Sequence, residues 1–217
     1  MPLDTPKVPF EHLSMDLVTD LPLTTDGYCN ILSVIDRFSK YCIFIPLKHN
    51  TTAEALANVF VEHVVRHFGV PLSIVSDRDR RFTSHFWQHL WSSLKCSLKF
   101  SSAYHPESDG QTERMHRTLE QVLRTLIEGK ETAWCSMLPY AELYMNTTPN
   151  SSTGKSPHKI VYGRVAFNPF ASILSNTNNS LPALNNFAAT RQELWQAVHA
   201  AIEKSKQEQK RYADKHR

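Results

Sequence analysis

The sequence predicts a layered α/β domain built on a mixed five-stranded sheet with helices on both faces. The first observation is the order of patterned segments: three strands, then helix, strand, helix, strand, helix and helix. The second is composition, since 41% hydrophobic and 21% charged residues are ordinary values for a soluble globular protein. The third is length, because 217 residues suffice for one substantial core.

The N-terminal part of the chain predicts an antiparallel meander. Residues 1–12 hold three prolines and are expected to form an extended lead-in. Apolar and polar residues then alternate through Leu13–Leu21, a pattern typical of a strand, with Asp16 inside it. A turn at Thr24–Gly27 separates this strand from two further apolar runs, Cys29–Ile35 and Cys42–Leu47, which are rich in strand-forming residues.

The middle of the chain predicts alternating helices and strands. Thr52 is expected to cap a helix that runs to about Phe68 and ends at Gly69. The apolar side of this helix is predicted to carry Ala55, Val59 and Val64. Leu72–Ser76 has the pattern of a buried and often parallel strand, and Asp77 stands at its carboxyl end. Further elements are expected at Thr83–Leu94 (helix), Leu98–Ser101 (strand) and Trp134–Met145 (helix).

A long amphipathic helix is predicted after residue 107. Ser108 with Gln111 is a capping-box pattern, so the helix is expected to begin near Ser108. Helical spacing predicts that one face is turned toward the core and carries Met115, Leu119, Val122 and Leu126. The opposite, accessible face is predicted to carry Glu113, Arg117, Glu120 and Arg124.

The same patterns predict the domain organisation. The lead-in 1–12 is followed by a main domain at 13–170, which includes a Ser-, Thr-, Pro- and Gly-rich loop at 147–164. A polar linker at 171–184 precedes a C-terminal helical extension at 185–217. This helix ends in a basic segment that either binds nucleic acid or is simply solvated.

Charge and cysteine content exclude several classes. The net charge is +3, and residues 203–217 carry all of this excess, so the charge of the remaining chain gives no argument for nucleic-acid binding.

The four cysteines, Cys29, Cys42, Cys96 and Cys135, are scattered, which indicates neither a disulfide framework nor a cysteine-rich zinc site. His63 and His67 have i,i+4 spacing but are interpreted as surface residues. No apolar run approaches the ~18 residues of a membrane span.

Three acids stand out by position. Asp16 lies between apolar neighbours inside a strand, Asp77 ends another strand, and Glu113 lies in the first turns of the long helix. A carboxylate cluster of this kind suits Mg²⁺ or Mn²⁺, and two such ions can assist phosphodiester chemistry. Buried salt bridges or surface acids are the alternatives that patterning leaves open.

Seven ordered motifs identify a family resemblance. They are Met15-Asp16-Leu17, Ile35-Asp36-Arg37-Phe38-Ser39-Lys40, Val75-Ser76-Asp77-Arg78-Asp79, Phe82-Thr83-Ser84, the run from His105 to Arg114, Ser152-Thr153-Gly154-Lys155-Ser156-Pro157 and Tyr162-Gly163-Arg164. In this order, and with 35 residues between Asp77 and Glu113, the chain resembles the integrase catalytic core of gypsy-type LTR retrotransposons, within the retroviral integrase superfamily. The resemblance covers roughly residues 10–165 and identifies the segment 13–170 as the catalytic core.

The resemblance implies an RNase H-like fold and a polynucleotidyl transferase and endonuclease of the D,D(35)E type. Carried over, the catalytic and metal-binding residues are Asp16, Asp77 and Glu113. Asp16 would bridge two Mg²⁺ or Mn²⁺ ions, and Asp77 and Glu113 would each hold one. The implied reactions are 3′-end processing of retrotransposon DNA and strand transfer into target DNA. No zinc site is expected in this chain, and neither a zinc module nor a terminal β-barrel or chromodomain is expected beside the core.

The resemblance also implies partners and a location. Retrotransposon DNA ends, target DNA and further copies of the chain, as a homodimer or higher multimer, are the expected partners, with an unidentified chromatin tether and no membrane. The nucleus is the expected location, after a stage in a cytoplasmic particle. Two alternatives from other classes are a domesticated, non-catalytic DNA-binding or scaffold protein and a ribonuclease H.

Nucleic-acid contacts are predicted around the three acids. The candidates are Arg78, Arg80, Tyr104, His105, Asp109, Arg114, His116 and Arg117. The alternatives are salt bridges for these arginines and for Arg81, packing for Tyr104 and helix N-terminal charge compensation for Asp109. His116 stands where the family usually has Asn.

Other prominent residues have structural interpretations. Asp36 is expected to be a turn or salt-bridge residue. The large aromatic residues of the helices are expected in the core or at a dimer interface, and these are Phe86, Trp87, Trp91 and Trp134.

Overall fold

The computed structural model describes residues 6–100, 106–127 and 131–166, except the side chains of 106–113. Several predictions lie outside these residues: the linker 171–184, the helix 185–217 with its basic end, and the positions of Tyr104 and His105. The side chains of Asp109 and Glu113 also lie outside them. Within the described residues, no helix combines the length and the apolar character that crossing a membrane requires.

The predicted mixed five-stranded sheet is confirmed. Its strands are β1 (His12–Val18), β2 (Tyr28–Asp36), β3 (Cys42–Lys48), β4 (Ser73–Ser76) and β5 (Ser97–Phe100). The spatial order is β3-β2-β1-β4-β5. β1, β2 and β3 pair antiparallel as a meander, whereas β4 runs parallel to β1 and β5 runs parallel to β4.

Helices cover both faces of the sheet. They are α1 (Ala53–Phe60), continued by a π-helical turn (Val61–Val65) and α2 (Arg66–Phe68), then α3 (His85–Ser93), α4 (Pro106–Ile127), α5 (Trp134–Thr147) and α6 (Pro157–Tyr162). Thr52 caps α1 as predicted, because its side chain accepts a hydrogen bond from the Ala55 amide at 3.2 Å. Ser84 caps α3 in the same way through the Trp87 amide.

Two hydrophobic cores follow from the alternation of side chains along the strands. One core packs Leu13, Met15 and Leu32 against α1 and α3, including the fully buried Trp87 and Trp91. The other core packs the opposite face, including Ile31 and Phe44, against α4 and α5, where Leu119, Val122 and Trp134 are buried. The predicted inward face of α4 is therefore confirmed.

The structure corrects three details of the sequence interpretation and narrows a fourth. Helix α4 begins at Pro106, two residues before the predicted start near Ser108; proline suits a first helical turn because its missing N–H is not needed there. The predicted loop 147–164 contains α6, which Ser156 caps through the Lys159 amide and Gly163 ends at φ +71°. In α1 and its continuation, Val59 and Val64 pack against the core as predicted, but Ala55 is exposed and the buried residues of α1 are Leu56, Ala57 and Phe60. Phe86 is 42% exposed and does not belong to the core, so of its two predicted settings only a dimer interface stays open.

Helix α5 covers the outer edge of β3 with side chains that replace a neighbouring strand. Asn146 accepts a hydrogen bond from the Cys42 amide and donates one to the Cys42 carbonyl, each at 2.8 Å. One turn earlier, the Glu142 carboxyl group accepts a hydrogen bond from the Phe44 amide at 2.8 Å. Burial raises the pKa of Glu142 to about 7. These contacts satisfy backbone groups that an uncovered edge strand would expose.

Candidate active site

Asp16 lies on the face of β1 that packs against α4. Its neighbours Met15 and Leu17 belong to the opposite core, so alternation directs Ser14 and Asp16 toward α4. The Asp16 side chain is 33% exposed, and its Oδ1 atom accepts a hydrogen bond from the Leu17 amide at 2.8 Å. A strand therefore holds this carboxylate at the border between the second core and solvent.

Asp77 follows the strand that lies beside β1. The parallel register pairs Met15 with Ser76, so Asp16 and Asp77 come directly after the last paired residues of two neighbouring strands. Asp77 is exposed, and its carboxylate accepts a hydrogen bond from the Asp79 amide at 3.2 Å. The carboxyl ends of neighbouring parallel strands are the usual place for ligands in open α/β sheets. The structure thus brings two of the three predicted acids to one edge of the sheet.

Glu113, the third predicted acid, belongs to α4. The backbone of α4 is helical through residue 113, and α4 contacts β1 on the Asp16 face. The Glu113 side chain is not among the described ones, so its approach to Asp16 and Asp77 stays a prediction.

His116 lies beside Asp16, one turn after Glu113. The His116 Nδ1 atom is 3.7 Å from Asp16 Oδ2, and the His116 side chain is 16% exposed. Burial lowers the pKa of His116, with an opposing contribution from the charge of Glu120, so the imidazole is neutral at pH 7. Its Nε2 atom is buried and has no hydrogen-bond partner among the described residues. The structure therefore places a neutral imidazole against the predicted metal-binding carboxylate.

Ser33 is a further neighbour of Asp16 that the sequence interpretation missed. The antiparallel register sets Ser33 opposite Asp16, so both side chains share one face of the sheet. Ser33 is fully buried, and its hydroxyl oxygen has no hydrogen-bond partner within the described part of the chain. A serine inside the otherwise apolar run Ile31–Ile35 was the available sequence signal.

The arginines around the acids separate into two groups. Arg81 forms a bidentate salt bridge with Asp79, with two N–O distances of 2.8 Å, and this contact holds the pKa of Asp79 below its usual value. The salt-bridge interpretation is therefore confirmed for Arg81. The four arginines predicted to contact nucleic acid are exposed: Arg78, Arg80, Arg114 and Arg117. Their predicted contacts with nucleic acid stay predictions.

Asp36, which the sequence singled out, has a structural role, and His63 and His67 lie on the surface. Asp36 is buried and accepts hydrogen bonds from the amides of Phe10 and Ser39, at 2.9 and 2.8 Å, which confirms its role in the turn after β2. His63 and His67 are both exposed on the surface, as predicted.

Comparison with protein families identifies the domain. Residues 6–106, which include Asp16 and Asp77, match the family described as "Integrase core domain". This chain contains an integrase core domain. Over 161 residues, 74% of this chain, it is 35% identical to the transposon Tf2-3 polyprotein of Schizosaccharomyces pombe. The aligned segment spans only 12% of that polyprotein's length.

Solved structures show the fold of this integrase core domain. The HTLV-2 integrase catalytic core domain in complex with magnesium, in its trimeric form, is 18% identical with a TM-score of 0.58, covering 71% of this chain and 98% of that one. The simian T-cell lymphotropic virus intasome in complex with the PP2A regulatory subunit B56 gamma is 20% identical with a TM-score of 0.60, covering 81% of this chain and 59% of that one. The predicted RNase H-like fold is confirmed.

The donor set of the integrase core domain fits a hard divalent cation. Asp16 and Asp77 offer carboxylate oxygens, the ligands that Mg²⁺ and Mn²⁺ prefer, and the neighbouring His116 adds no positive charge to oppose a cation. Among the side chains that the structure describes, no three His, Cys, Asp or Glu residues form a group that could hold a metal. The third carboxylate of the predicted set belongs to Glu113, whose side chain is not among those that the structure describes.

Proposed function

We propose that this chain catalyses DNA integration by divalent-metal-dependent 3′-end processing and strand transfer of retrotransposon DNA into target DNA. The observation that carries this proposal is the position of Asp16 and Asp77 directly after the last paired residues of two neighbouring parallel strands of an integrase core domain. The 35-residue interval between Asp77 and Glu113 supports Glu113 as the third carboxylate.

The proposed chemistry consists of two displacements at phosphorus. In the first, a water oxygen bonds to phosphorus as the bond to the DNA 3′ oxygen breaks, which leaves a free 3′-hydroxyl. In the second, that hydroxyl oxygen bonds to a phosphorus atom of target DNA as the target's own 3′ oxygen leaves. Bound divalent ions would make the attacking oxygen more nucleophilic and neutralise charge on the leaving oxygen.

The residues of the chain have distinct roles in this proposal. Asp16, Asp77 and Glu113 would hold two Mg²⁺ or Mn²⁺ ions through carboxylate oxygens. His116 would orient the Asp16 carboxylate, which lies 3.7 Å from its Nδ1 atom. The exposed residues Arg114 and Arg117 extend from the same helix and would contact the DNA backbone.

The proposed partners are retrotransposon DNA ends, target DNA and further copies of the chain. Relatives support this, since the HTLV-2 integrase catalytic core domain has dimeric and trimeric forms and the simian T-cell lymphotropic virus protein is part of an intasome. Action on chromosomal DNA implies a nuclear location for the final step.

The reverse joining reaction tests this proposal with little demand beyond the core. A branched DNA that mimics the integration product is incubated with the chain and Mn²⁺ or Mg²⁺, and resealing of the target strand is measured. We expect metal-dependent resealing by the unmodified chain and none by Asp77→Asn. A folded chain that binds the branched DNA but reseals it with neither ion would contradict catalysis. That result would favour the non-catalytic DNA-binding or scaffold role.

A further inference from the structure

A cationic cleft opens beside the Asp16 site on the same face of the sheet. It has a volume of about 110 Å³ and lies between β1, the end of β2, helix α4 and the loop after α5. Three of its lining residues are basic: Arg37, Lys40 and Arg114. The remaining polar lining consists of hydroxyl and amide groups, including Ser14, Asn150 and Ser152, and its described lining residues include no carboxylate. Groups of this kind bind phosphate oxygens by charge and by hydrogen bonding.

The cleft adjoins the candidate active site through two elements. Ser14 lies two residues before Asp16 on β1, so the two side chains point to the same face about 7 Å apart along the strand. Met115 and Thr118, which line the cleft from α4, flank His116 in sequence. A phosphate in the cleft would therefore sit close to, and outside, the carboxylate site.

Positive charge is concentrated inside the cleft. The Lys40 ammonium group donates a hydrogen bond to the Arg37 carbonyl at 2.7 Å, which holds the two basic residues together. Burial and the Arg37 charge lower the pKa of Lys40, against an opposing effect of Asp36. The Asp36 carboxylate is already engaged with the amides of Phe10 and Ser39. Two basic side chains therefore lie side by side in the lining of the cleft.

The backbone at Lys40 limits which substitution can test its side chain. Lys40 has φ +67°, in the left-handed region where Gly and Asn are favoured and a long side chain is unfavourable. The position ends a tight turn, since the Lys40 amide donates to the Asp36 carbonyl at 2.9 Å.

We propose that this cleft binds one backbone phosphate of duplex DNA and thereby positions the strand that reacts at Asp16. The proposal rests on the proposed function, because it takes the anion to be a phosphodiester of the DNA substrate. Arg37, Lys40 and Arg114 supply the charge, and the loop carrying Asn150 and Ser152 supplies hydrogen-bond donors.

The substitution Lys40→Asn tests the cleft without straining the turn. Asparagine tolerates positive φ, so the variant removes the charge while the backbone is retained. Lys95→Asn is the matched control, because Lys95 has φ +58° and is exposed after α3, outside the cleft. Affinity for a fluorescent duplex is measured by anisotropy over a range of salt concentrations in EDTA, so that catalysis plays no part.

Loss of one phosphate contact has a defined signature. For Lys40→Asn we expect weaker binding and a slope of log affinity against log salt that is shallower by about 1. Arg114→Gln should give the same change, whereas Lys95→Asn should match the unmodified chain. Inorganic phosphate should displace the duplex only at concentrations far above that of the duplex, because phosphate replaces only one of the several contacts that the duplex makes.

The outcomes separate this proposal from the proposed function. An unchanged slope for Lys40→Asn, with normal duplex binding by the unmodified chain, would overturn the cleft alone. Equal losses in Lys40→Asn and Lys95→Asn would also overturn it, because they would indicate a diffuse charge effect. Duplex binding that depends on Lys40 in a chain unable to reseal branched DNA would support the cleft and count against catalysis. An unmodified chain that binds no duplex would overturn both proposals.

Discussion

At the scale of single residues, His116 combines three properties that suit a positioning role. Its side chain is mostly buried, its Nδ1 atom faces Asp16 across 3.7 Å, and its lowered pKa keeps it neutral. A distance of 3.7 Å is longer than a hydrogen bond, so a small rearrangement would be needed for Nδ1–H to donate to the carboxylate. A neutral donor can orient a metal-binding carboxylate without repelling the cation.

His116→Asn and His116→Ala should therefore differ in activity. Asparagine keeps a neutral N–H donor near Asp16, so His116→Asn should retain most of the resealing activity, whereas His116→Ala should lose about 10–100-fold. The Ala variant should also need a higher Mn²⁺ concentration for half-maximal rate. Rates over a Mn²⁺ titration, with thermal melting as a folding control, measure both effects. Equal activities, or an unshifted Mn²⁺ requirement, would leave His116 with a purely structural role.

At the scale of elements, the contact between α5 and β3 is built from side chains that act as a substitute strand. Asn146 pairs with both backbone groups of Cys42, and all of these atoms are buried. Removing the Asn146 amide would leave a buried N–H and a buried C=O without partners.

For Asn146→Ala we expect a loss of roughly 2–4 kcal/mol in the free energy of unfolding, because two buried backbone groups lose their partners. Urea denaturation measures this loss, and the slope of the transition should stay unchanged. Asn58→Ala is the matched control on the exposed side of α1, with an expected effect within about 0.5 kcal/mol. A comparable loss in both variants would contradict the edge-strand role.

Glu142 makes the same α5–β3 contact sensitive to pH. Its pKa rises from 4.5 to about 7 on folding, so between these pH values the folded chain binds more protons than the unfolded chain. Its contribution to stability is therefore fully present below about 4.5 and is lost as pH rises through about 7. Glu142→Gln keeps an acceptor for the Phe44 amide but cannot titrate. The free energy of unfolding of Glu142→Gln minus that of the unmodified chain should therefore be roughly 1–3 kcal/mol larger at pH 8 than at pH 5. Urea unfolding at both pH values measures this difference. A difference between the two proteins that is the same at both pH values would exclude this role for Glu142.

Elements with strong periodicity were predictable from the sequence, and elements defined by local hydrogen bonding were less so. The alternation in β1 and the apolar runs of β2, β3 and β4 identified each strand to within a few residues. Helix α6 was missed because six residues are too few for a periodic signal, although Ser156, Pro157 and Gly163 mark both of its ends. The predicted start of α4 was two residues late because it was placed at the Ser108–Gln111 pattern, whereas the helix begins at Pro106.

At the scale of the whole molecule, the site depends on the topology of the sheet. Asp16 and Asp77 are 61 positions apart in sequence but adjacent in space, because β4 returns parallel to β1. Periodicity located each acid on its own strand, and the family resemblance indicated that the acids act together. The sequence marked Ser33 only as a polar residue in an apolar strand, and its place opposite Asp16 and the cleft at Lys40 could not be predicted, because strand register and turn conformation set these positions.

Metal binding by the folded chain should be visible in its thermal stability without any reaction. A ligand that binds only the folded state stabilises it by RT ln(1 + [L]/Kd), about 2.7 kcal/mol at one hundred times Kd. That gain corresponds to a rise in Tm of several degrees for a domain of this size. Saturating Mn²⁺ should therefore raise the Tm of the unmodified chain but have much less effect on the Tm of Asp77→Asn. Asp26→Asn is the control, because Asp26 is exposed in the turn between β1 and β2, and its Tm should rise like that of the unmodified chain. Differential scanning calorimetry with and without Mn²⁺ measures the shifts, and EDTA should reverse them. If Mn²⁺ raised the Tm of Asp77→Asn as much as that of the unmodified chain, the ion would bind elsewhere and Asp77 would not be its ligand.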